Sequence, residues 1–246
     1  MSKPLEGKIA LVTGASRGIG YAVAKAYANA GAHVIAVARP KSIGALEELD
    51  DQIVEDTGSN ATIVPLDLMD GGSIDRLGGA IFERWGKLDI LVANAGLLGP
   101  ISPIGHIDPK EWDKVISVNL TAPYRLIRSM DPLLKLSDTP RAIFVTSAAA
   151  GKNRPFWGPY AASKAGLEEL AKTYANESKI AGIKVNLIDP GPIRTGMRAQ
   201  AVPGEDPMTL PTPEQMTGLF LELASPSLVK SGESVSFYDW AGIERS

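Results

Sequence analysis

Short apolar or β-branched runs recur along this chain, each followed by a stretch long enough to form a helix, and that alternation restricts the fold more than any other feature. Ile9 to Thr13, His33 to Ala38, Thr62 to Leu66, Leu88 to Ala93, Ala142 to Thr146 and Lys184 to Ile188 are such runs, and Ser234 to Phe237 is a weaker one. Strands joined through helices need crossover connections, which are right-handed and cover both faces of a parallel sheet. The near-continuous apolar character of the runs fits burial on both sides. The expected fold is α/β: a single-domain, doubly wound sheet of about seven mostly parallel strands with helices on both faces.

Local signals sharpen this outline. Helix-forming residues from Tyr21 to Ala30 end at Gly31, and Thr212, Pro213 and Gln215 have the pattern of an N-cap, a first-turn proline and a capping-box partner, predicting that the last helix starts there and ends near Ala224. Between Asp189 and Thr212 the chain is rich in Pro and Gly beside apolar Met197, Val202, Met208 and Leu210. A connection this long is usually functional, and we read 189–212 as a substrate lid. With no internal repeat and no linker, residues 1–246 read as one domain.

The turn after the first strand reads Thr13-Gly14-Ala15-Ser16-Arg17-Gly18-Ile19-Gly20. Glycine lets the backbone approach a ligand, and the N-terminus of the following helix offers unpaired N–H groups and a positive dipole end to a pyrophosphate. In a doubly wound sheet this first strand-to-helix junction is where dinucleotides bind. An acidic residue about 20 positions further on normally accepts the ribose 2′-OH. Here the second run ends Val37-Ala38-Arg39, a guanidinium in place of a carboxylate, which favours NADP(H) over NAD(H). Arg17 stands ready to assist, and Asp67, after the third run, is either an adenine contact or a helix cap.

Tyr160-Ala161-Ala162-Ser163-Lys164 opens an amphipathic helix, and the i, i+4 spacing puts the phenol and the ammonium on one face. A free Tyr has a pKa of about 10, so proton exchange near neutrality requires help. A Lys ammonium at about 5 Å with an effective dielectric of about 20 favours phenolate by roughly 3 kcal/mol, which predicts a lowered Tyr160 pKa. Ser147 follows the fifth run and returns to the same carboxyl edge of the sheet, where open α/β proteins bind ligands. Asn119 lies in an apolar helical stretch, Val118-Asn119-Leu120, where a buried amide needs partners.

Taken in order, Thr13-Gly14-x3-Gly18-x-Gly20, Asp67, Asn94-Ala95-Gly96, Asn119, Ser147, Tyr160-x3-Lys164 and Pro190-Gly191 resemble the short-chain dehydrogenase/reductase family, from about Leu5 to Tyr238. The resemblance implies a Rossmann-like domain that binds NAD(P)(H) and moves a hydride between nicotinamide and a carbonyl or alcohol substrate. By the same resemblance Tyr160 is the general acid/base, Ser147 bonds the substrate oxygen, Lys164 holds the nicotinamide ribose and lowers the Tyr pKa, and Asn119 positions a water. Expected cofactor contacts are Gly14, Ser16, Arg17, Gly18, Ile19, Gly20, Arg39, Asp67, Leu68, Asn94, Ala95, Gly96, Tyr160, Lys164, Pro190, Gly191, Ile193 and Thr195, with no metal ligands. Many members close the last strand with Val-Asp-Gly-Gly, whereas this chain continues Ser236-Phe237-Tyr238-Asp239-Trp240-Ala241-Gly242. In common tetramers that end joins a subunit contact, so the departure bears on the usual assembly; the resemblance implies a homo-oligomer, dimer or tetramer.

Composition narrows the alternatives. The chain has no Cys and only two His, His33 and His106, each isolated, which excludes disulfides, thiolate nucleophiles and iron–sulfur clusters and leaves little for zinc. A net charge of -3 without a dense Lys/Arg run gives no footprint for nucleic acid or an anionic membrane. No apolar signal-like core opens the chain and no run is long enough to span a bilayer, so a cytoplasmic protein is expected. Basic Lys152, Arg154, Arg194 and Arg198 beside apolar Phe156, Trp157, Met197 and Val202 raise the expectation of an apolar carbonyl substrate carrying an anionic group. Two other readings exist: a nucleotide-binding sensor or scaffold with little turnover, against which the filled Asn119, Ser147, Tyr160 and Lys164 positions speak, and an extended sugar-nucleotide epimerase, for which the chain leaves no substrate domain.

Overall fold

A computed structural model describes residues 3–244. In chain order its regular elements are β1 (Ile9–Thr13), α1 (Gly18–Asn29), β2 (His33–Ala38), α2 (Ile43–Thr57), β3 (Thr62–Pro65), α3 (Gly71–Trp85), β4 (Ile90–Ala93), α4 (Pro109–Ile116), α5 (Ala122–Leu134), β5 (Arg141–Val145), α6 (Gly158–Glu177), β6 (Lys184–Asp189), α7 (Gly196–Ala201), α8 (Thr217–Ala224), β7 (Ser234–Ser236) and α9 (Phe237–Ala241).

The strands form a single sheet in the order β3-β2-β1-β4-β5-β6-β7, and every pairing is parallel. Val12 of β1 lies opposite Ala36 of β2 on one side and Val92 of β4 on the other. From that central pair the chain winds outward in both directions, so the connections leaving β1 and β4 diverge and open a crevice at the carboxyl edge.

Side-chain alternation explains why both faces are covered. Ala10, Val12, Val34, Ala36, Val92, Ile143 and Val145 face one helical layer, which includes Val23 and Tyr27 of α1 and Phe220 of α8. Leu11, Ile35, Val37, Leu91, Phe144 and Leu187 face the other, with Ile81 of α3, Met130 of α5 and Leu167 of α6. Alternate residues of one strand thus sit in two separate cores, and each must be apolar.

The helix boundaries follow the expected caps with two differences. Gly31 adopts φ +98 just past the end of α1. The Thr212–Gln215 capping box is present, but it opens a 3-10 turn (Pro213–Met216) before α8. Nor is α8 the last helix, because Phe237 and Tyr238 are buried and the Ser236 hydroxyl caps α9 by accepting from Asp239 N. Leu88, expected within the fourth strand, precedes it and bonds instead to the carbonyl of Leu133. Residues 189–212 are not a bare loop. They contain α7 and a 3-10 turn at Pro207–Thr209. Between α4 and α5 one turn, Ser117–Thr121, is π-helical, a distortion frequent at functional sites. No helix among the described residues is long and apolar enough to cross a membrane.

Candidate active site

A cavity of about 1190 Å³ opens at the carboxyl edge between the two halves of the sheet. Beneath it, buried Thr13, the last residue of β1, ties the strand ends together. The Thr13 hydroxyl donates to Val92 O and accepts from the N–H groups of Asn94 and Ala95, while Asn94 Nδ2 donates to Thr13 O at 2.9 Å. The Asn94 side chain therefore ties the end of β1 to the loop after β4. A Cβ at Gly20 would stand 2.4 Å from Gly14 O and 2.5 Å from Asn94 Nδ2, so only glycine lets α1 approach this junction. Gly14 and Gly18 adopt φ +71 and φ +59, which lift the turn away from the first helical turn of α1. Arg17 at the N-cap provides no side-chain cap, so the first N–H groups of α1 face the cavity without that partner.

Ser16, Arg17, Gly18, Ile19, Arg39, Asp67, Leu68, Ala95, Gly96, Pro190 and Thr195 line the cavity together with Gly14, Asn94, Tyr160 and Lys164. The remaining expected residues, Gly20, Asn119, Ser147, Gly191 and Ile193, lie outside its wall. Ile193 belongs to the core, and Gly191, at φ +66, packs under the ring of Tyr238, where a Cβ would come within 2.7 Å of the ring carbons. Asp67 does not cap α3. Its carboxylate accepts from Met69 N, and Asp70 caps the helix by accepting from Ser73 N. Thr195 both lines the cavity and caps α7 by accepting from Arg198 N. Lys41, which sequence reasoning missed, lines the cavity with Arg17 and Arg39. Pro40 starts the 3-10 turn that carries it and was the available signal.

Asn119 is fully buried in the π-helical turn and has the partners that a buried amide requires. It accepts from Leu97 N and donates to Leu97 O, both at 2.8 Å, and it donates to Ser163 Oγ at 3.0 Å. This clamps the loop after β4 onto α6, one residue before Lys164. Gly96 lies beside both groups: a Cβ there would stand 3.5 Å from Asn119 Oδ1 and 3.7 Å from Lys164 Nζ, ordinary contact distances.

Lys164 reaches under the sheet edge and donates to Val145 O at 2.7 Å, with Nζ 5.8 Å from the Tyr160 ring centre. Burial lowers its pKa to about 8. The Ser147 hydroxyl, which accepts from Ala149 N at 3.2 Å, acts on the Tyr160 phenol in the direction of phenolate. The expectation that Lys164 pulls the phenol toward neutrality is not met. Burial raises the Tyr160 pKa, the Ser147 hydroxyl lowers it less, and the charge of Asp189 raises it further. The physical reason is that desolvation acts on both partners, and the nearest partner of the ammonium is a backbone carbonyl. Without nucleotide, Tyr160 is therefore a neutral phenol with a proton to donate.

Around the phenol, Leu98, Ala149, Trp157, Met197 and Ala201 make an apolar wall, with the Trp157 ring edge-on at 5.9 Å. Three of the four basic residues expected to bind an anion have partners within the protein. Arg198 forms a two-pronged pair with Glu205, Arg194 donates to the carbonyls of Pro207, Met208 and Leu210, and Arg154 stacks over Trp157 at 5.7 Å. Arg194 and Arg198 pin the 189–212 segment, and Arg194 also lines the cavity.

A glycine turn at the β1–α1 junction, a crevice at the switch point and a phenol and a buried ammonium one helical turn apart at its wall define a nucleotide-dependent oxidoreductase site. Residues 8–206 match the family model described as short chain dehydrogenase, and the chain belongs to that family. The oxidoreductase YciK of Escherichia coli (strain K12) is 38% identical over 221 residues, covering 89% of this chain and 86% of its own. A short chain dehydrogenase of Shigella flexneri complexed with NADP superposes with a TM-score of 0.91 at 36% identity, covering 96% of this chain and 99% of that one. A third, from Escherichia coli CFT073 and complexed with NADPH, gives a TM-score of 0.91 at 37% identity with the same coverage.

Proposed function

We propose that this oxidoreductase prefers NADP(H) and acts on an apolar ketone, aldehyde or secondary alcohol, with Tyr160 as the proton donor and acceptor. The observation that carries the reading is the Tyr160 phenol at the wall of a glycine-lined cavity, one helical turn from buried Lys164. Bound nicotinamide supplies or receives the hydride. Ser147 accepts or donates at the substrate oxygen, and Tyr160 gives its hydroxyl proton to that oxygen as negative charge develops there. Lys164 holds the nicotinamide ribose, and Asn119 fixes the Leu97 loop and orients the water that returns the proton.

Preference for the 2′-phosphate rests on Arg17, Arg39 and Lys41, and the NADP and NADPH complexes of the two relatives support it. The apolar wall beside Tyr160 supports a substrate without charge near its carbonyl. We read residues 1–246 as one nucleotide-binding domain with 189–212 as the substrate lid, and the protein as a homodimer or homotetramer, an order that sedimentation gives directly. A cysteine-free chain suits a reducing cytoplasm.

The test is a fluorescence titration with NADPH and NADH, followed by turnover on a panel of apolar carbonyl compounds. NADPH is expected to bind more tightly, and Arg39→Ala to weaken it about tenfold while sparing NADH. Tyr160→Phe should bind NADPH normally and lose about 10²- to 10⁴-fold in turnover. Full turnover in that variant overturns the assignment of Tyr160.

A further inference from the structure

Past the end of β6 the chain closes a loop on itself. Arg194 N donates to Pro211 O at 2.9 Å, and the Arg194 guanidinium donates to the carbonyls of Pro207 at 2.7 Å and Leu210 at 3.1 Å. Helix α7 lies inside that loop. None of its six residues is fully buried, and a helix of so few residues does not hold its shape alone in water. Two polar ties hold it. At its start Thr195 Oγ1 accepts from Arg198 N at 3.3 Å, and past its end the Glu205 carboxylate accepts two bonds from the Arg198 guanidinium, at 2.6 Å and 2.5 Å. Val202 N donates to Arg198 O at 2.9 Å and Glu205 N to Val202 O at 3.3 Å, so backbone bonds also lead from one partner of the ion pair to the other.

The pair stands beside two spaces. Met197 and Ala201, four residues apart and so on one helical face, pack against the cluster of Leu98, Ala149 and Tyr160. Arg198 and Val202, one position further on, belong to another face and line a second cavity of about 330 Å³ with Glu205, Pro207 and Leu210. Arg194, Thr195 and Gly196 line both cavities, so the start of α7 is a wall shared by the two. Side chains that face open space have no packing partners there, and a wall beside a cavity keeps its place through specific bonds.

We propose that Arg198 and Glu205 are positioning residues for the substrate: their ion pair holds α7 off the second cavity and keeps Met197 and Ala201 against Tyr160, fixing the wall that an apolar carbonyl compound meets. The inference rests on the reading of Tyr160 as the proton donor and adds which residues set the shape of the pocket beside it. The Arg198 and Glu205 side chains are 19% and 25% exposed, which shields the pair from much of the solvent screening that weakens a surface pair. Its two bonds fix direction as well as distance, because the guanidinium is a rigid fork.

The chain has no cysteine, so Ala201→Cys places a single thiol on the wall itself. Exchange of that thiol with dithiodipyridine, an uncharged disulfide, is followed by absorbance in the full protein without substrate, and its rate reads how readily the wall opens. Adding Glu205→Gln, which keeps the size and loses the charge, is expected to speed the reaction about three- to tenfold, and Arg198→Gln to do the same. Glu205→Asp, shorter but charged, should fall between. Sodium chloride at about 1 M should speed exchange in the parent and leave the Glu205→Gln protein level. Equal rates in the parent and in both charge-deleted proteins overturn the proposal, because a pair that only decorates the loop leaves the wall where it is.

Turnover of an apolar ketone with NADPH, in proteins without the added cysteine, gives a second readout. Glu205→Gln is expected to raise the ketone KM about three- to tenfold with a smaller change in kcat. A fall in kcat at level KM overturns the positioning role. Faster thiol exchange with no turnover in any protein, wild type included, sinks the reductase reading and leaves the control of α7 by the ion pair standing.

Discussion

At the amino edge of the sheet Asp89 is entirely buried. Its carboxylate accepts from Ile9 N at 2.9 Å, from Ser137 Oγ and from Lys87 Nζ at 3.0 Å, with Lys8 Nζ 3.7 Å away. Nearby Arg141, 3% exposed, donates to the carbonyls of Pro140, Ser225, Pro226 and Leu228. At the carboxyl edge Lys164 and Tyr160 line a cavity, and both have pKa values moved away from their ordinary ones. The difference lies in what the neighbours satisfy. At the amino edge, protein donors and acceptors complete the shell of each charge, which holds the chain ends in place. At the carboxyl edge the shell is left incomplete toward the cavity, and the unfavourable burial is available for binding and proton transfer.

Removing one member from each edge should separate stability from activity. Asp89→Ala strips a buried carboxylate from two lysines and a strand N–H, and about 3 to 5 kcal/mol should be lost in urea unfolding, with NADPH affinity of the folded protein unchanged. The pH dependence follows from the sign of its shift. Burial acts to raise the Asp89 pKa, but the bonds from Ser137, Ile9 and Lys87 outweigh it and hold the carboxyl below its ordinary range. Its stabilisation is therefore complete above the unfolded value of about 3.9 and is lost as pH falls through the lower folded value. Acid unfolding should begin at higher pH in Asp89→Asn than in the wild type. Equal acid midpoints would remove the contrast between the edges.

At the carboxyl edge the sharper probe is Lys164. Because burial lowers its pKa to about 8, the ammonium is present below that pH and lost above it. NADPH affinity should weaken as pH rises through about 8, and Lys164→Met should bind about tenfold or more weakly with no such pH dependence. A wild-type affinity that stays level across this range means the ammonium does not touch the nucleotide. The smallest effect is expected between the two regions, at Tyr238→Phe, which keeps the ring over Gly191 and loses the bond to Pro192 O. About 1 kcal/mol of stability should go, seen as a lower Tm, with a modest rise in the KM for NADPH.

How much of this was legible in the chain depends on the range of the interaction. The β1–α1 glycine turn and the Tyr160–Lys164 spacing are local, and both occur where the residues place them. Asn119 was readable as an amide in need of partners, but not as the clamp between Leu97 and Ser163, which are 22 and 44 residues away. Arg198 looked like an anion site because its partner Glu205 lies across a turn whose path periodicity does not define. The divergent C-terminal segment, read as a question about subunits, also packs within the chain, where Tyr238 buttresses Gly191 and Trp240 donates to Glu222.

Alternating apolar runs, turn glycines and helical spacing are properties of neighbours along the chain, and they determined by themselves the doubly wound sheet, its nucleotide-binding junction and the family. The protonation of Tyr160 was decided only by the tertiary structure. Desolvation and Coulomb interaction depend on which atoms surround a group in space, and the fold that places Lys164 beside the phenol also buries both and brings Asp189 to the same edge.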